Sequence, residues 1–190
     1  MAVFEVRRPQ APTHAEPGFP QARQRPWQPL SVPGLTCPMM TITGGTPDYD
    51  LLAPLETDAD VIHRVDRLVG ADARRDRSLW LLFLAADAVQ LPVVVPIDEV
   101  PADPDPATAG SICEVVARVL DDAAPGGSVV IALVRDNGRG LNDSDQQWLT
   151  ALRAAAARTG VHLRMICLAT RDGVRRLEPD ARARRSSRAT

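Results

Sequence analysis

Residues Ser128–Val134 read SVVIALV, and the seven that follow, 135–141, read RDNGRGL. The first run holds no charge and no break, which is the pattern of a strand covered on both faces. The second is polar and carries Gly138 and Gly140, so the chain turns there. A helix then follows over residues 143–159, with Asn142 as N-cap and Asp143 and Asp145 opposing the positive end of its dipole. Leu149, Leu152 and Ala156 form its apolar stripe, Trp148 flanks the stripe, and Gly160 ends it. A buried strand feeding a helix through a glycine-containing loop is the core unit of an α/β fold.

Working outward, residues 107–124 place Ile112, Val115, Val116, Val119, Leu120 and Ala123 on one stripe, closed by Pro125, Gly126 and Gly127. Upstream, 78–85 (SLWLLFLA) and 90–97 (QLPVVVPI) are two strand-length apolar runs with Asp87 between them, close enough to pair as a hairpin. Pro92 and Pro96 put the second run at a sheet edge or at strand ends. Thr57 or Asp58 caps an earlier helix carrying Val61, Ile62, Val65, Leu68 and Val69, stopped by Gly70. Downstream, 161–169 reads as a strand, and Arg171-Asp172-Gly173-Val174 turns the chain into a short strand over 174–177. The order predicts an α/β sandwich with a mixed β-sheet of about five strands and three helices.

The ends differ from this body. Nine of the 17 prolines fall in the first 50 residues, each removing a donor and fixing φ, so residues 1–50 read as a proline-rich, largely disordered arm. Residues 51–178 form the α/β domain, and 179–190 an arginine-rich, disordered tail. The arm carries four Arg and four acids, residues 51–174 carry 12 Arg and 18 acids, and residues 175–190 carry six Arg and two acids. The net charge of −2 therefore divides into a neutral arm, a body at −6 and a tail at +4. An acidic body argues against a nucleic-acid groove on the folded domain. All 22 basic residues are Arg, which removes Schiff-base and P-loop lysine chemistry. Cys37, Cys113 and Cys167 are too few and too scattered for a disulfide framework, so a cytoplasmic setting is expected. The N-terminus has no secretory pattern, and no apolar run reaches the ~18 residues of a membrane span.

Ligands on open α/β sheets gather at the carboxyl ends of strands. Arg135, Asp136, Asn137, Gly138, Arg139 and Gly140 stand at that end here. They read as an anion cradle built on the glycines and Arg139, as an Mg²⁺ site using Asp136, Asp143 and Asp145, or as a plain turn before a capped helix. His14, His63 and His162 have no metal-ligand spacing and adjoin no nucleophile. Cys113 and Cys167 sit within apolar patterns, while Cys37 lies in the arm without a charged neighbour. Trp27, Leu35, Met39 and Met40 make the arm's later half apolar enough to dock on its own domain or on another chain. The tail's arginines lack interleaved aromatics but remain a nucleic-acid candidate.

From residue 78 to 177 the pattern resembles the JAB/MPN metalloprotease family, in its RadC-like branch. That family follows a hairpin with a helix, a buried strand, a loop reading His-Asn-His-Pro-Ser-Gly, a Ser-x-x-Asp helix start and a closing hairpin. SLWLLFLA and QLPVVVPI resemble the hairpin, SVVIALV the buried strand, Asn142-x-x-Asp145 the helix start, and VHLRMICLATRDGVRRL the closing hairpin. Arg135 and Asn137 stand in place of the two metal histidines, and the upstream glutamate position falls near Arg77 or Ser78. Only Asp145 survives as a ligand, and a catalytic zinc needs three protein ligands and a water. The Arg-only, Ala-rich composition also resembles that of high-GC actinobacterial proteins. The resemblance implies a metal-free, cofactor-free relative: a non-catalytic interaction or regulatory module with a protein partner or self-association and no membrane. Its interaction residues would be Trp27, Leu35, Met39 and Met40 with Arg135, Asp136, Asn137 and Arg139. The alternatives are an Mg²⁺-dependent hydrolase using the strand-end aspartates and a nucleic-acid accessory protein acting through the tail.

Overall fold

A computed structural model describes residues 40–41, 52–70, 74, 77–136 and 140–178. All seven residues of β4 (Ser128–Val134) are buried, as its unbroken apolar run requires. It is hydrogen-bonded on one side to β2 (Ser78–Leu84), antiparallel, and on the other to β5 (Leu163–Thr170), parallel. A parallel neighbour needs a crossover, and α3 (Asp143–Thr159) supplies it. β2 forms a hairpin with β3 (Gln90–Ile97), and α2 (Pro106–Ala123) returns the chain from β3 to β4. β5 closes with β6 (Gly173–Arg176) through a second hairpin. Adding β1 (Met40–Thr41), the sheet runs β1-β3-β2-β4-β5-β6 and is mixed, with three helices, so the α/β architecture is as the pattern implies.

Side-chain alternation splits the core into two layers. Val129, Ile131 and Leu133 point to the face covered by α2 and α3, where Ile112, Val116, Trp148 and Leu152 are fully buried. Val130, Ala132 and Val134 point to the other face, shared with Val61, Val65 and Val69 of α1 (Asp58–Val69). That helix approaches β5 and β6 most closely, so it lies toward one side of its face.

The local signals act as their chemistry dictates. Thr57 and Asp60 form a capping box at α1, Asp105 caps α2 with Pro106 behind it, and Asn142 and Asp145 form a capping box at α3. Gly160 ends α3 in the left-handed region with φ of 72°. Gly127 enters β4 so close to the hairpin that a Cβ there would sit 2.2 Å from the Leu84 carbonyl oxygen.

The sheet has one strand more than the five counted from sequence, and it comes from the arm. β1 pairs antiparallel with β3 at Met40↔Val94 and Thr41↔Val93. Two residues are too few to read as a strand in a proline-rich segment, and their partner is distant in sequence. Pro92, Val94 and Pro96 share one parity of β3, and a proline is tolerated where its missing donor faces the outer edge. Val94 is then the one residue of the three able to donate outward, which keeps β1 short. The rest of the arm, at 1–39 and 42–51, and the tail at 179–190 lie outside the described residues. Among the described residues no helix is long and apolar enough to cross a membrane.

Candidate functional site

The carboxyl ends of β4 and β5 lie side by side, tied by the Arg135 amide donating to the Ala169 carbonyl at 3.1 Å. The loop after β4 brings the Arg135 side chain back over the first turn of α3. There Nε donates to Oδ1 of Asp145 at 3.0 Å and Nη2 to Oδ2 at 2.7 Å, a two-pronged ion pair with the side chains 6% and 0% exposed. Arg135 Nη2 also donates to the Gly140 carbonyl at 2.7 Å. Asp145 Oδ2 accepts the Asn142 amide at 3.0 Å, and Asn142 Oδ1 accepts the Asp145 amide at 2.8 Å. One carboxylate thus serves as ion-pair partner and as half of a helix cap. Burial makes that double use necessary, because a dry carboxylate is stable only when its lone pairs are taken.

Other arginines surround this pair. Asp136 accepts from Arg171, with Nη2 to Oδ2 at 2.9 Å and a second contact from Nε to Oδ1, so the turn after β5 is held to the end of β4. The buried Arg74 donates to the Thr170 carbonyl at 3.1 Å and to Asp66 Oδ1 at 2.7 Å, tying the end of α1 to the same edge. Arg77 donates to Ser144 Oγ at 3.0 Å, and Ser144 Oγ donates in turn to the Ala102 carbonyl. Trp148 Nε1 donates to the Pro101 carbonyl at 3.0 Å, fixing the loop between β3 and α2 over α3. The edge is a lattice of guanidinium groups held by carboxylates, carbonyls and a hydroxyl, in which Arg74 Nε is buried without a hydrogen-bond partner.

The same geometry bears on the Mg²⁺ reading of Asp136, Asp143 and Asp145. Asp145 is enclosed by Arg135, Asp136 is paired with Arg171, and Asp143 is exposed in the first turn of α3. Among the described residues no group of three or more His, Cys, Asp or Glu side chains could hold a metal. A zinc ion does not fit Asp145 either, because that carboxylate is paired with a guanidinium. Asn137, Gly138 and Arg139 lie outside the described residues, as do Trp27, Leu35, Met39 and Cys37. Met40 is placed in β1.

His63 and His162 are exposed on separate elements, α1 and the turn before β5. Burial pushes the Cys113 thiol up to about 11 and the Cys167 thiol up to about 12, and both are free and buried. Asp58, at the start of α1, is held below the usual carboxylate range by hydrogen bonds first from Arg164 on β5 and then from Arg176 on β6. Sequence reading did not single out that clamp, because its partners lie more than a hundred residues away. It also missed Arg64, which is buried on the α1 stripe and donates to Gln90 Oε1 at 2.6 Å. Its place three residues after Val61 was a legible signal. Against known proteins, the chain matches no family model, and no curated protein is similar to it in sequence.

Proposed function

We propose that the chain is a non-catalytic, JAB-like protein-interaction or regulatory module. The observation that supports this most is the Arg135–Asp145 pair. The one carboxylate left at a ligand position of the resemblance is fully buried and neutralised by a side chain that competes with any cation. Arg77, near the position of the upstream glutamate, is a donor to Ser144 and leaves no base there. The free buried thiols of Cys113 and Cys167 fit a reducing compartment such as the cytoplasm. Contacts with a protein partner or a second copy would use the arm residues Trp27, Leu35, Met39 and Met40 and the polar strand end at Arg135, Asp136, Asn137 and Arg139.

Thermal unfolding with added Zn²⁺ or Mg²⁺ tests the reading, because a ligand bound to the native state raises the melting temperature. No shift is expected with either ion at millimolar concentration. A saturable rise that Asp136→Asn or Asp145→Asn abolishes would instead establish a metal site at the strand end.

A further inference from the structure

The loop between β3 and α2 and the outer face of α3 border an open groove of about 420 Å³, lined by Pro104, Pro106, Gln146, Gln147, Thr150 and Ala151. Its walls are anchored. The Pro101 carbonyl accepts from Trp148 Nε1 at 3.0 Å, and the Ala102 carbonyl accepts from Ser144 Oγ. Pro106 opens α2 behind its Asp105 cap, so the backbone carrying both prolines is fixed on either side. Two proline rings and Ala151 make the lining largely apolar.

Acids stand around it. Asp103 and Asp105 flank Pro104 in sequence, and Asp143 precedes Gln147 by one turn on the same face of α3. All three are exposed. Asp105 caps α2 through the Ala107 amide, whereas Asp103 and Asp143 enter no ion pair among the described residues. An apolar lining under an acidic rim suits a side chain with an apolar stem and a cationic head, which is the chemistry of Arg and Lys. The stem lies along the prolines while the head reaches the carboxylates.

The chain's own basic end starts on the other side of the helix. Gln146 Nε2 donates to the Glu178 carbonyl at 3.3 Å, while the loop touches α3 at Ser144 and Trp148, about 160° away around the helix axis. The exposed ridge of α3 therefore lies between Glu178 and the rim acids of the loop.

We propose that this groove docks an Arg- or Lys-bearing extended segment of a partner protein. The proposal rests on the chain being an interaction module, and it names the partner's chemistry and the surface it uses.

Fluorescence anisotropy of the full chain with a short fluorescein-labelled peptide alternating Arg and Ala tests it. The expected result is saturable binding that weakens as salt is raised and falls about tenfold in the double variant Asp103→Asn, Asp143→Asn. Asp121→Asn with Asp122→Asn makes the same charge change at the far end of α2 and should leave binding unchanged. Equal weakening in the two double variants would trace the binding to the general acidity of the body and overturn the proposal. So would no binding, or equal binding of a peptide with citrulline in place of Arg. Arg182→Gln, Arg184→Gln, Arg185→Gln and Arg188→Gln, combined in the full chain, should leave the affinity unchanged. Tighter peptide binding in that variant would put the chain's own tail in the groove and overturn the partner assignment. None of these outcomes bears on metal binding, so the groove and the non-catalytic reading fail separately.

Discussion

The guanidinium of Arg135 and the carboxylate of Asp145 meet edge to edge, Nε to Oδ1 at 3.0 Å and Nη2 to Oδ2 at 2.7 Å, beneath the cap of α3. The pair joins the end of a strand to the start of the helix ten residues later and closes the loop between them. Arg135→Ala leaves the Asp145 carboxylate buried without its counter-charge, and is expected to cost about 3–5 kcal/mol. Urea unfolding of Arg135→Ala, Asp145→Asn and the double variant measures it. The double variant is expected to lose clearly less than the sum of the single losses, since the two side chains form one unit. Additive losses would mean that the two act independently.

Asn142 contributes through the cap alone. Asn142→Ala removes the acceptor of the Asp145 amide and should cost about 1 kcal/mol. The same urea titration reads it, and a loss as large as that of Arg135→Ala would show that the cap, not the ion pair, carries the corner.

Gly127 predicts a steric effect. An alanine Cβ would lie 2.2 Å from the Leu84 carbonyl oxygen and 2.8 Å from that of Ala124, both backbone atoms that cannot swing aside. Gly127→Ala is expected to destabilise by about 3 kcal/mol, at the upper end of overpacking costs. Gly140 meets nothing within 4 Å, so Gly140→Ala serves as the control in the same melting series.

How much of this was legible follows from the range of each interaction. Asn142, Asp145 and Gly160 announce α3 because caps act over three or four residues, and SVVIALV announces β4 because burial on both faces erases alternation. The position of Asp145 was legible as a cap but not as a partner of Arg135, because the loop geometry that joins them is not written in residue spacing. Arg64 stood at a legible stripe position that its charge masked, and Arg164 with Arg176 were hidden by separation in sequence. Met40–Thr41 was obscured by its prolines: Pro38 argues against a strand, while the edge of β3 requires only the short pairing at Val94.

Acid sensitivity should pass through Asp58. Its carboxyl is held low by Arg164 and Arg176, so the folded form binds the proton less readily than the unfolded chain. That contribution is complete above the unfolded value of about 3.9 and is lost as pH falls through the lowered folded value. Asp58→Asn should therefore differ most from the parent near neutral pH and converge with it in acid. Melting temperatures between neutral and strongly acidic pH check this, and a difference that grows on acidification would refute the assignment.

Cys113 and Cys167 should be inert in the native protein. With thiols pushed up to about 11 and about 12, neither forms appreciable thiolate at pH 8, and both are buried. Thiol titration with a disulfide reagent, followed by peptide mapping, should find both unmodified until denaturant is added. Above an ordinary thiol value of about 8.5 the unfolded chain releases these protons first, so stability should decline as pH rises toward the folded values.

The central claim is that the strand-end site is closed by an arginine and holds no catalytic metal. Elemental analysis of the full chain, purified without chelators from zinc-supplemented culture, tests it most directly. The predicted result is no stoichiometric metal, in the parent and in Asp145→Asn alike. One zinc per chain that survives dialysis and is lost in Asp145→Asn would contradict it.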